Sequence, residues 1–107
     1  MGDYYLIHTT VSGRDEAVRI SDILVKGGFV ACVNYFPVYS TYVWDGRLEH
    51  SEEYLLLCKT TRQRIDAAFS RILEEHSYEC PEIISVEISH GHPSYLDWIS
   101  YSTKNKE

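Results

Sequence analysis

No apolar run in the sequence approaches the ~20 residues of a membrane-spanning helix, so a helical membrane protein is not expected. Basic residues are few: 10 Lys and Arg stand against 16 Asp and Glu, a formal charge of -6. That balance argues against a nucleic-acid or anionic-membrane surface. Cysteines number three, an odd count that fits reduced thiols in the cytosol better than a disulfide frame. No basic segment followed by an apolar stretch opens the chain, so no secretory leader is expected. Gly2 invites a check for myristoylation, but Leu6 stands where that motif needs Ser or Thr. The sequence also lacks a Gly-x-Ser-x-Gly elbow, a phosphate-binding Gly-rich loop and a His-Glu-x-x-His pair. Without a catalytic motif or an organic-cofactor fingerprint, the reading is of a protein that is not an enzyme. Repeats, linkers and low-complexity tracts are absent too, so the 107 residues read as one domain, 1–107. A chain of that length can bury a core without disulfide help.

What is present centres on Val30 to Lys59, which reads as two long strands folded on each other at Asp45-Gly46. Val30 to Trp44 is rich in β-branched and aromatic residues suited to a pleated surface. Asp-Gly is a strong signal for a two-residue turn with positive φ at both positions. Pro37 cannot donate to a ladder and should mark a bulge or an edge. Arms of about fourteen residues exceed the usual five or six, so part of the hairpin should project beyond its own domain. A bare projecting edge invites aggregation, and a neighbouring subunit is expected to cover it.

Around the hairpin, Asp3 to Thr9 reads as a central strand, apolar on both faces. Ser12 and Asp15 suggest a capping box for a helix to about Lys26, closed by Gly27-Gly28. Ala17, Ile20 and Leu24 form its stripe. Thr60-Thr61 offers a cap for a second helix to about Glu75, with Ile65, Ala68, Phe69, Ile72 and Leu73 as its apolar stripe. Glu82 to His90 is a fourth strand, with Ile84, Val86 and Ile88 on one face and Ile83, Ser85, Glu87 and Ser89 on the other. That alternation suggests one covered face and one more polar or interfacial face. Pro93 is placed to start a last short helix, and Thr103 to Glu107 is a polar tail. The order β-α-β-β-α-β plus a helix is an α+β, ferredoxin-like arrangement. Two helices cover one sheet face; the other has no cover within the chain, which predicts an obligate oligomer.

Candidate chemistry sits in three stretches. One is Cys32 with Asn34. A second is Tyr42, Trp44, Glu53 and Lys59 along the hairpin; Glu53 and Lys59 share a face but lie about 20 Å apart. The third is His76-Ser77-Tyr78-Glu79-Cys80-Pro81-Glu82, which packs an imidazole, a phenol, carboxylates and a thiol into one loop. Thiolate with imidazole suits copper or zinc. The plain structural reading is a helix-ending loop, with His76 against the helix C terminus and Pro81 enforcing an extended strand entry. Cys32 and Cys58, each in an apolar strand, are read as small buried hydrophobes ahead of ligands.

Five segments in order resemble the CutA divalent-cation-tolerance family: Ala31-Cys32-Val33-Asn34, Tyr42-Val43-Trp44-Asp45-Gly46, Glu53 through Leu57 to Lys59-Thr60, His76 to Ile83, and Tyr95-Leu96-Asp97-Trp98. The likeness runs from about Tyr5 to Ser102. It implies a cytoplasmic homotrimer linked to copper and other divalent ions, with no organic cofactor and neither nucleic acid nor membrane as partner. It also implies a polar cleft at the subunit boundary, made by Trp44, Glu53, Lys59, Tyr78 and Glu82. The metal ligands expected are Cys32, His76, Cys80 and Glu82. The rival expectation is a signalling or enzyme-like trimer that holds a small anionic metabolite through Lys59. The chain departs from the family at Ser77, where the family commonly has Pro, and at Cys80, often a non-thiol residue.

Overall fold

A computed structural model describes residues 2–104. Seven elements follow in order: β1 (Tyr4–Val11), α1 (Arg14–Lys26), β2 (Cys32–Trp44), β3 (Arg47–Thr61), α2 (Ile65–Glu75), β4 (Ile83–Glu87) and α3 (Pro93–Ser102). The strands form one antiparallel sheet in the order β2-β3-β1-β4. The α+β, ferredoxin-like order is therefore as expected, and β1 is central. The far end of the polar tail, 105–107, lies outside the described residues.

The hairpin pairs without interruption from Cys32 opposite Lys59 to Trp44 opposite Arg47. Its turn has φ of 57° at Asp45 and 77° at Gly46, the paired positive values that Asp-Gly supplies. Pro37 makes no bulge. It faces Tyr54 in register, tolerated because β2 is an edge strand with a ladder on one side only.

The core lies between the sheet and the first two helices. Ile7 and Val11 of β1, Leu56 and Cys58 of β3, Ala17, Ile20 and Leu24 of α1, and Ala68 and Ile72 of α2 are all fully buried. Each large aliphatic side chain removed from water there contributes about 1.5–3 kcal/mol.

Local details differ from the sequence reading. Leu73, at the edge of the α2 stripe, faces solvent rather than the core. Gly13 precedes α1, and the Ser12 hydroxyl and amide reach the Glu16 carboxylate at 2.7 and 3.0 Å, not Asp15. Glu16 is one residue further along and points back over the helix start. Thr60 and Thr61 are not a helix cap but the buried end of β3; the Thr60 hydroxyl donates to the Phe29 carbonyl at 2.7 Å. Strand β4 stops at Glu87, opposite Tyr5, because its partner β1 ends one residue beyond.

The structure also decides which face of β4 is covered. Cross-strand register places Ile83 against the core, while Ile84 and Val86 lie on the opposite face, 50% and 47% exposed. The more apolar face of β4 is thus the open one. That open face is not bare along its whole length, because α3 packs against β3 at one end. There Ile99 is buried and the Tyr4 hydroxyl meets the Ser100 hydroxyl at 2.7 Å. Among the described residues no helix is long and apolar enough to cross a membrane.

Candidate functional site

The loop between α2 and β4 begins where His76 leaves helical geometry, with φ −74° and ψ 139°. Its imidazole turns inward and is completely buried. The Tyr78 amide donates to Nδ1 at 3.1 Å. An Nδ1 that accepts leaves the proton on Nε2, which donates to the Thr10 carbonyl at 2.8 Å. Both ring nitrogens are thereby engaged by backbone.

Next to it, Glu16 accepts four hydrogen bonds: from the Ser12 amide and hydroxyl, and from the Ser77 amide at 2.8 Å and hydroxyl at 2.9 Å. Burial pushes this carboxyl up, but the four donors outweigh it and hold the group at about 2.

Tyr78 packs its ring on His76, centroids 4.9 Å apart, and donates its hydroxyl to Glu53 Oε2 at 2.7 Å. Burial and, next, the bond to the Glu53 carboxylate push the phenol well above its ordinary range. Glu53 itself is buried on the open face of β3.

Above this pair opens a cleft of about 990 Å³. Tyr42, Trp44 and Glu53 of the hairpin form one wall; Tyr78, Cys80 and Glu82 form the other. Asp45 and Glu79 add two more carboxylates, and no Lys, Arg or His lines it among the described residues. Cys80 is exposed, whereas the Cys58 thiol is core and pushed up to about 12 by burial.

Of the residues expected at a subunit-boundary cleft, Trp44, Glu53, Tyr78 and Glu82 come together within one subunit and Lys59 does not. Lys59 lies further along β3, opposite Cys32, with its ammonium 3.9 Å from the Cys32 sulfur and hydrogen-bonded to Asn34 Oδ1. Tyr95 of α3 closes on the same spot; burial first, then Cys32, pushes its phenol up. The expected ligand set is likewise divided. Cys80 and Glu82 line the cleft, Cys32 sits with Lys59, and His76 is sealed beneath the loop. Among the described residues no three His, Cys, Asp or Glu side chains are grouped to hold a metal. Glu16 was missed by the sequence reading. The sequence reading gave the Ser12 cap to Asp15, the residue at capping-box spacing, and nothing local announces Ser77 as a partner of Glu16.

The sequence model for the CutA1 divalent ion tolerance protein matches residues 5–102. The chain belongs to the CutA family. A crystal structure of CutA from Xylella fastidiosa superposes with a TM-score of 0.93 at 40% identity, covering 95% of this chain and 99% of that one. The divalent-cation tolerance protein CutA of Thermus thermophilus is 37% identical over 88% of this chain and 92% of its own. Protein CutA, chloroplastic, of Arabidopsis thaliana is 31% identical over 94% of this chain. This chain spans 56%, about half, of the length of that plant relative and of a second one from rice. The family is one of divalent-cation tolerance rather than a known enzyme family.

Proposed function

We propose that the chain acts as a homotrimer that binds divalent or soft cations, copper among them, in the cleft between hairpin and loop, without catalytic turnover. The observation that carries this reading is the lining itself: Glu53, Glu79, Glu82 and Asp45 with the thiol of Cys80, and no cationic side chain among the described residues. Carboxylate oxygens suit hard divalent ions, and a thiolate extends the range to copper and zinc. Cys80 and Glu82 are the ligands of this reading, with Glu53 behind them. One chain groups fewer than the four ligands a closed site needs. A neighbouring subunit supplies the remainder, and Cys32 belongs to the account only through such a neighbour. The rival anionic metabolite requires Lys59 in the cleft, and within one subunit Lys59 is elsewhere.

The open face supports the oligomer. Ile84, Val86 and Phe36 are exposed there, and the hairpin carries Val43 at 66% and Leu48 at 64% exposure. Three unpaired cysteines support a reducing, cytoplasmic setting, although the Arabidopsis relative is named chloroplastic.

Native mass spectrometry of the reduced protein with one equivalent of Cu(II) or Zn(II) tests the proposal. A trimer retaining metal against a competing chelator is expected, with retention lost in Cys80→Ser/Glu82→Gln. A monomeric mass removes the assembly; a trimer that keeps no metal removes the cation.

A further inference from the structure

We infer that Glu16 is a positioning residue of the cleft: through Ser77 it latches the loop after α2 and so sets Tyr78 against Glu53. The inference deepens the cation reading, but its core rests on geometry alone. Glu16 stands in the first turn of α1, 61 residues from Ser77. A helix-start role would need only the two bonds from Ser12, and exposed Asp15 is free to fill the dipole part of it. Instead the carboxylate is buried, and half of its hydrogen bonds go to Ser77. Burying a carboxylate is costly unless its oxygens are satisfied. Four donors satisfy this one.

The next link follows within two residues. With Ser77 pinned, the Tyr78 amide falls on His76 Nδ1, and His76 Nε2 falls on the Thr10 carbonyl. The loop is thus tied to α1 and to β1. From that anchored backbone the Tyr78 hydroxyl reaches Glu53 Oε2 at 2.7 Å. Occupying one oxygen fixes the plane in which the other oxygen of Glu53 is presented to the cleft. A metal-binding carboxylate gains affinity from such an outer partner, typically ten- to a hundredfold. Ser77 matters twice here, because it provides a backbone N–H as well as a hydroxyl; proline at that position would supply neither.

The test combines amide hydrogen exchange by NMR on the metal-free protein with calorimetric titration of Zn(II). Glu16→Ala should speed exchange of the Ser77 and Tyr78 amides by about tenfold or more, while core amides such as Ile7 and Leu56 keep their wild-type rates. Glu16→Gln, which keeps one acceptor oxygen, and Ser77→Ala, which keeps the N–H, should give smaller accelerations. These two carry the comparison if Glu16→Ala does not fold. Zinc affinity should fall on the order of tenfold in Glu16→Ala and again in Tyr78→Phe, but no further in the double variant, since both act on Glu53. Unchanged Ser77 and Tyr78 exchange in the folded variants overturns the latch, as does a uniform acceleration across the sheet. Additive losses in the double variant overturn the route through Tyr78. If the wild-type protein binds no zinc, the cation reading fails while the exchange arm still decides the latch.

Discussion

Strands β2 and β3 live under two regimes along their own length. Toward Cys32 and Thr61 they are roofed by α1 and α2, and Leu56, Cys58 and Thr60 are fully buried. Toward Asp45-Gly46 they project past the helices, and Tyr39, Val43 and Leu48 are exposed. The molecule accordingly extends 44 Å in one direction and 21 Å in another. The pairing register is the same in both halves. What differs is who supplies the packing. The roofed half is stabilised by its own chain; among the described residues the projecting half has only cross-strand partners. The cleft lies where the second regime meets the loop after α2.

The comparison breaks most sharply in the roofed half. Leu24→Ala should cost about 2–5 kcal/mol, read as a lower urea midpoint, because a fully buried side chain leaves a cavity. Acid should act next at the junction. The Glu16 carboxyl is held at about 2 in the folded chain against an ordinary 4.5, so its contribution is fully present above pH 4.5 and is lost as pH falls toward 2. The expected size is about 3 kcal/mol, and a pH series of denaturant midpoints should lose that slope in Glu16→Gln.

On the open face, Ile84→Asp should leave the subunit fold intact and weaken association on the order of a hundredfold, about 2.7 kcal/mol. Size-exclusion profiles across dilution would read it, and the wild-type melting point should rise with protein concentration. A variant that loses helical signal without changing mass would show that this face serves the subunit rather than the assembly. The smallest effect belongs to half-buried ion pairs on the roof. Arg71 lies 3.6 Å from Glu74 and 3.4 Å from Glu75, and Arg71→Ala should shift stability by less than about 1 kcal/mol.

Legibility in the sequence followed the same division. The hairpin, its turn and the helical stripe of Ala17, Ile20 and Leu24 were readable because each rests on residues close in the chain. Trp44, Glu53, Tyr78 and Glu82 were readable as companions through the resemblance, and the fold brings them together. Lys59 and Cys32 were placed in the same company at a subunit boundary; within one subunit they stand apart, since six residues of strand separate Glu53 from Lys59. His76 looked like a ligand because imidazole beside a thiol suggests one; only the folded loop shows both nitrogens occupied by Thr10 and Tyr78.

By itself the sequence determined the order of elements, the Asp45-Gly46 turn and which residues share a strand face, because a period of two or of 3.6 is a local property of the chain. It did not determine which face is covered. Ile84 and Val86 alternate correctly with Ile83, yet only the packing of α1 and α2 decides that Ile83 is the one set against the core. Nor did it determine the latch between Glu16 and Ser77. A carboxylate's partners are chosen by distance in space, and those 61 residues of separation close only when α1 and the loop after α2 meet beside β1.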